Sequence, residues 1–277
     1  MMYGQKNGFQ LVKWFGALMI NLELKQVDHD VSIGTSCGNI KPNVTEDTLL
    51  FLDGKIIGFY LSNVADYSPR LKSLLDIANN EFLGSNVPKL NMTRSNGVQQ
   101  RSTILGFVPA KPNYKRPYHS VSSVHQVESA RNYIKAIILA SNESMNVIKE
   151  ISPDIYQRQK QLLSDIPKQY KVGDFFTSSI ANYNIAANFH RDTGNVKDSI
   201  NVILTKRRLS VGGCLSVPDY NLTFACHDSS MIVYPAWKNV HGVTPIVPKA
   251  KGGYRNSLIF YPLAGAKKAK LFDNVVQ

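Results

Sequence analysis

The sequence predicts an α+β fold: a double-stranded β-helix, or jelly roll, supported by helices from the N-terminal half. Three observations carry this expectation. From Val172 onward, short β-prone runs follow one another (FFTSSIANYNIAANF, SINVILT, GGCLSVP, LTFAC, SMIVYP, SLIFYPL), divided by turn-rich links. The clear helical patterns all lie before this stretch. No internal repeat or low-complexity tract interrupts the 277 residues, which read as one domain. Within it, 1–171 is a helical and hairpin elaboration and 172–265 is the β-helix core.

Residues 1–27 show no clear period. In Thr48–Tyr60 (TLLFLDGKIIGFY), two β-prone runs flank Asp53-Gly54, the pair favoured by a type I′ hairpin. Ser68-Pro69 supplies an N-cap and an N1 proline. Leu71, Leu74, Leu75, Ala78 and Phe82 follow at helical spacing, and Gly84 ends the helix. Val87–Val124 reads as loop-rich, with Pro88, Pro109, Pro112 and Pro117 as breakers. Ser123 and Gln126 form a capping box for a second helix with Val127, Ala130, Ile134, Ile137 and Ile138 as its buried stripe. Ser152-Pro153 starts a third, with Ile155, Leu162, Leu163 and Ile166 apolar.

Composition narrows the function classes. A hydrophobic share of 43% and a charged share of 19% are those of a soluble globular protein with a real core. Lys and Arg number 32 against 20 acidic residues, a net +12, which favours a polyanionic partner: nucleic acid first, an anionic membrane second. Many soluble basic proteins bind neither. Cys37, Cys214 and Cys226 lack any C-x-x-C spacing, which argues against a disulfide framework or a structural zinc site and for a reducing compartment. The apolar run near the N-terminus is broken by Lys13, so the expectation is an intracellular, cytoplasmic monomer with no membrane segment.

KPNYKRPYHS (residues 111–120) interleaves Lys111, Lys115 and Arg116 with Tyr114, Tyr118 and His119. Basic side chains attract phosphates and rings stack on bases, so Lys115, Arg116 and Tyr118 are candidate nucleic-acid contacts. Arg101 and Arg207-Arg208 are further candidates. The bland alternative is a Pro-rich surface loop among ordinary solvated charges. Lys267, Lys268 and Lys270 read as a solvated tail.

The chemistry centres on His190-Arg191-Asp192. An H-x-D on an extended strand sends both side chains from one face, two-thirds of a 2-His-1-carboxylate facial triad for Fe(II). Alone it is a weak signal. His241 in NVHGVTP supplies the third ligand, and Arg255 in YRNSLIFY the cation for the distal carboxylate of 2-oxoglutarate. Ser257, on the same strand face, adds a hydroxyl there. A His₂Asp zinc hydrolase is the main competitor, but it leaves Arg255 unexplained and offers no general base. A Ser–His–Asp hydrolase lacks a nucleophile elbow. His227 and Asp228, adjacent and so on opposite faces, do not form a second metal pair.

At these residues the chain resembles a known family. NYNIAANFHRDTGN, GGCLSVPDY and HGVTPI, followed by YRNSLIFY, are similar to the TET/JBP dioxygenases, most of all their JBP-like and bacteriophage-encoded members. The resemblance is dense over Phe175–Leu263 and looser upstream, at LLFLDGKIIGFYLSNV and ILGFVP. It implies that His190, Asp192 and His241 hold Fe(II), that Arg255 grips 2-oxoglutarate, and that Asn182, with Asn184 close behind, lies near the substrate pocket. It implies a reaction: O₂ and 2-oxoglutarate hydroxylate the 5-methyl group of 5-methylcytosine or thymine in DNA, giving succinate and CO₂. It also implies the setting of a phage-infected bacterium. A methyl buried in a duplex is out of reach, so the target base is expected to be flipped or single-stranded. Rival readings are a hydroxylase of a protein side chain or small molecule, and a DNA-binding module with an inactive site. His227-Asp228 replaces the Gly-Asp of the wider superfamily, a departure expected to alter a turn and not the metal. Arg255-Asn256-Ser257 lacks the longer pattern of the DNA-repair demethylases, which counts against alkyl-lesion repair.

Overall fold

The computed structural model describes residues 3–6, 9–14, 17–93, 98–111 and 118–269. The N-terminal half contributes strands β1 (Tyr3–Lys6), β2 (Phe9–Trp14), β3 (Ala17–Glu23), β4 (Thr48–Leu52) and β5 (Lys55–Leu61). Helix α1 (Pro69–Leu83) is followed by β6 (Leu90–Thr93), β7 (Gln99–Val108) and β8 (Ser120–Val121), then α2 (Arg131–Ile151) and α3 (Pro153–Leu162). The second half is mainly strand: β9 (Ser178–Tyr183), β10 (Ala187–His190), β11 (Asn201–Arg208), β12 (Ser210–Gly212) and β13 (Leu215–Val217), then β14 (Leu222–Phe224), β15 (Met231–Tyr234), β16 (His241–Val243), β17 (Ile246–Pro248) and β18 (Tyr254–Tyr261), followed by the short helix α4 (Gly265–Lys268).

These strands form a twelve-stranded sheet in the order β1-β2-β3-β4-β5-β15-β11-β18-β9-β7-β6, with β8 on β7. A four-stranded sheet, β10-β16-β13-β14, and a β12-β17 ribbon complete the jelly roll. Period-two alternation sorts the large sheet's side chains into two cores. Val202, Leu204, Met231, Val233, Leu258 and Phe260 join the outer core, against Leu71, Leu75, Phe82 and Ile137 of the helices. Their neighbours Ile203, Ile232 and Tyr234 turn inward to meet Leu215, Val217, Leu222 and Phe224 of the small sheet. Strands covered on both faces read as near-continuous apolar runs, which is how they stand out in the sequence.

Local signals in the chain are matched where their chemistry is self-contained. Asp53 (φ 53°) and Gly54 (φ 72°) take the two positive-φ positions of a type I′ turn. Ser68 Oγ accepts from Leu71 N, Pro69 opens α1 and Gly84 closes it. Three expectations need correction. Ser123–Gln126 is a 3₁₀ turn that ends at an extended Val127, and Ser122 ahead of it makes no capping bond, so α2 starts only at Arg131. The "loop-rich" Val87–Val124 contains the ten-residue strand β7, paired with β6 and β9 on its two sides. Its Gly106 (φ 102°) lets it lie against the chain at Thr177, whose carbonyl oxygen a Cβ would meet at 2.4 Å. Finally, Asn182–His190 is not one strand. Asn184 takes a left-handed φ of 55°, and the chain crosses there from the large sheet to the small one. No helix among the described residues is long and apolar enough to cross a membrane.

Candidate active site

His190, the last residue of β10, stands directly opposite His241, the first of β16, with ring centroids 4.3 Å apart. Asp192 lies just past the end of β10, where its N–H donates to Ala236 O. Its Oδ1 is 3.6 Å from His190 Nε2 and 3.9 Å from His241 Nε2, and one ligand atom from each of the three residues falls within 4.8 Å of the others. The H-x-D thus converges through a strand end and a turn, not through the two-residue period of a continuous strand.

Each imidazole has its orientation and tautomer set by the backbone. His190 Nδ1 is 2.7 Å from Asn188 O, and His241 Nδ1 is 3.0 Å from Asn239 O. A carbonyl only accepts, so Nδ1 carries the proton and Nε2 keeps a free lone pair. Burial holds the His241 imidazole below its ordinary pKa against the opposing pull of Asp192, favouring the neutral form that binds metal. Tyr234 packs edge-on against that ring at 5.4 Å. Asp192 Oδ2 accepts from Asn201 Nδ2 at 2.9 Å, leaving Oδ1 toward the histidines.

The turn leading into β16 is braced by Asp219, whose carboxylate accepts from Asn239 Nδ2 (2.9 Å), Val240 N (3.1 Å) and His29 Nε2 (2.8 Å). Burial alone would raise the pKa of this carboxyl, but these bonds outweigh it and hold it below the usual range.

The three ligand atoms open into a cavity of about 130 Å³ between the sheets, walled by Ile203, Leu215, Val243 and Ile259. Its other end holds Arg255 and Ser257. Arg255 is 2 % exposed, the largest fully buried side chain among the described residues. Its NH1 donates to Ser257 Oγ at 2.9 Å and its NH2 to Cys226 Sγ at 3.5 Å. Its Nε is buried without a partner, and no carboxylate of the described residues pairs with the guanidinium. A buried, uncompensated guanidinium is costly, and a carboxylate supplied by a ligand removes the cost. Gly213 (φ 66°) makes room for it: a Cβ there would sit 2.8 Å from Ile246 Cγ1 and 3.3 Å from Arg255 Cδ. The donor set fits the expected groups. Two imidazole Nε2 atoms and one carboxylate oxygen suit an octahedral divalent ion such as Fe(II), and the lone guanidinium suits the far carboxylate of a dicarboxylic acid.

The other candidates separate. Asn182 lines the cavity wall, in register with Ser257 of β18. Asn184 does not line it: its Oδ1 accepts from Arg255 N at 3.0 Å and its N–H donates to Arg255 O at 2.8 Å, so it ties down the start of β18. Arg101 is paired in register with Tyr183, adjacent to Asn182 and therefore on the opposite face, with its guanidinium 5.5 Å from the Tyr183 ring. Arg207 turns inward and donates to Gly212 O. Its Nε is buried as well, and this inward placement removes it from the candidate phosphate contacts. Arg208 is exposed. Tyr118 is exposed and away from the cavity lining, while Lys115, Arg116 and Lys270 lie outside the described residues. Asp228 takes Lys206 Nζ and Arg207 N in its turn and stays apart from the metal cluster. Asn201, Tyr234 and Asp219 were not singled out by sequence reasoning. An asparagine opening a strand carries no motif that would mark it.

No family model and no curated protein sequence matches the chain. Solved structures do. NgTET1 in complex with 5mC DNA superposes with a TM-score of 0.59 at 14% identity, covering 87% of this chain and 85% of that one. A 2OG-Fe(II) oxygenase family oxidoreductase from Burkholderia pseudomallei follows at 0.44 and 15% identity, covering 72% and 90%, and OsALKBH1 at 0.39 and 12%, covering 74% and 96%. The NgTET1 match shows a shared fold.

Proposed function

We propose that this chain is an Fe(II)- and 2-oxoglutarate-dependent dioxygenase that hydroxylates the 5-methyl group of a pyrimidine in DNA. The observation that carries the reading is the two-ended cavity. His190, Asp192 and His241 converge at one end, and the buried Arg255 guanidinium waits without a counter-ion at the other. Bound there, Fe(II) would supply the O₂ chemistry that oxidises a methyl C–H. The protein's own work is to orient both imidazoles with Nε2 free, to aim one oxygen of Asp192, to fix the cosubstrate's far carboxylate on Arg255 and Ser257, and to exclude water with aliphatic walls.

Three features support DNA as the substrate. The net charge of +12 suits a polyanion. The fold is shared with a protein solved on 5mC DNA. On the cavity wall, the Asn182 carboxamide makes no hydrogen bond with the described residues, leaving a donor and an acceptor for the polar edge of a flipped base. Lys115, Arg116 and Tyr118 are proposed as DNA contacts on the chemistry of the KPNYKRPYHS sequence alone.

Mass spectrometry of nucleosides from DNA containing 5-methylcytosine or thymine, after incubation with Fe(II) and 2-oxoglutarate, tests this directly. The expected product is a 5-hydroxymethyl nucleoside formed in step with succinate. Succinate with unchanged nucleosides would move the substrate to a protein side chain or small molecule. Neither product, with DNA binding intact, would leave a binding module.

A further inference from the structure

The carboxylate of Asp192 depends on a side chain outside the H-x-D motif. Asn201 opens β11, is 2 % exposed, and lines the cavity beside the metal ligands. Its Nδ2 donates to Asp192 Oδ2 at 2.9 Å, and its Oδ1 accepts from Asn195 Nδ2, also at 2.9 Å. The second bond fixes the first. With Oδ1 engaged as acceptor, the amide cannot flip, and its N–H₂ must face the carboxylate. Asn195 is itself anchored, its N–H donating to Asp192 O at 2.9 Å. Asp192 therefore has one oxygen, Oδ2, held by the Asn201 amide and more distantly by Asn195 Nδ2 at 3.5 Å, and one, Oδ1, turned to His190 Nε2 and His241 Nε2.

We propose that Asn201, oriented by Asn195, is a positioning residue that keeps Asp192 a one-oxygen ligand and so preserves adjacent open positions on the metal for the cosubstrate. This rests on the metal reading above. A facial triad leaves three positions, of which 2-oxoglutarate takes two. A carboxylate free to rotate can offer both oxygens and close one of them. Outer partners of this kind are worth about 10–100-fold in metal affinity.

The test uses Co(II), whose visible spectrum reports coordination, titrated anaerobically into the wild-type protein and into Asn201→Leu, Asn195→Ala and Asp192→Ala, followed by 2-oxoglutarate. Melting temperature is measured alongside. Asn201→Leu, close in shape to the native residue, is expected to bind Co(II) about 10–100-fold more weakly and to lose most of the spectral change on adding 2-oxoglutarate. Asn195→Ala should show the same defect in smaller degree, and it carries the test if Asn201→Leu does not fold. A folded variant with a lowered melting temperature but wild-type Co(II) affinity and 2-oxoglutarate response would overturn the proposal. Wild-type Co(II) binding by Asp192→Ala would instead sink the metal reading itself.

Discussion

At the metal end of the cavity, both imidazole Nδ1 atoms and Asp192 Oδ2 already have hydrogen-bond partners, whereas at the far end Arg255 Nε is buried with none. The first arrangement is preorganised: the groups proposed to meet a metal are already aimed, and little would be spent on ordering them. The second is incomplete, and only an incoming anion completes it. The two ends therefore should fail differently when altered, and the differences can be ranked.

Asp192→Ala should have the largest effect, removing Fe(II)-dependent turnover to background while leaving DNA affinity, read by fluorescence anisotropy, near the wild-type value. Turnover surviving in that variant would mean the metal lies elsewhere. Arg255→Met comes next. Removing the partner of a desolvated ionic contact costs about 2–5 kcal/mol, so the 2-oxoglutarate KM should rise by at least about thirtyfold with metal affinity retained. An unchanged KM would break the comparison at its second half. Asn182→Ala should cost about tenfold in kcat/KM for methylated DNA, the loss of roughly one hydrogen bond, with the 2-oxoglutarate KM unmoved. A shift in the cosubstrate constant instead would place Asn182 at the anion end.

The smallest effect concerns the brace under His241. Asp219 titrates in the folded protein below its unfolded value of about 3.9, so its contribution is complete above that pH and is lost as the pH falls through the folded value. Asp219→Asn should cost about 1–2 kcal/mol near neutrality and flatten the acid limb of the melting-temperature profile. An acid limb as steep as that of the wild type would show that other carboxyls carry it.

The same contrast explains what the sequence made legible. The meeting of His190, Asp192, His241 and Arg255 around one cavity was readable because the proposed chemistry admits few residue types at those places. Asp53-Gly54 and Ser68-Pro69 were readable because a turn and a cap are closed within a few residues. Asn201 was not, because its meaning comes from lying across the fold from Asp192. Strand β7 hid behind the prolines that flank it and a polar start, QQRS, and it becomes a strand only through its neighbours β6 and β9. The crossing at Asn184 was missed because asparagine tolerates a positive φ without announcing it.

At the centre of this picture, 2-oxoglutarate spans one cavity, from a metal held by His190, Asp192 and His241 to the guanidinium of Arg255. Paired anaerobic titrations of a divalent metal and of 2-oxoglutarate, on wild type and Arg255→Met, test it most directly. The account predicts a metal Kd within about threefold of wild type, as for independent sites, and 2-oxoglutarate binding lost from the same variant. Equal 2-oxoglutarate affinity in Arg255→Met and wild type would contradict it.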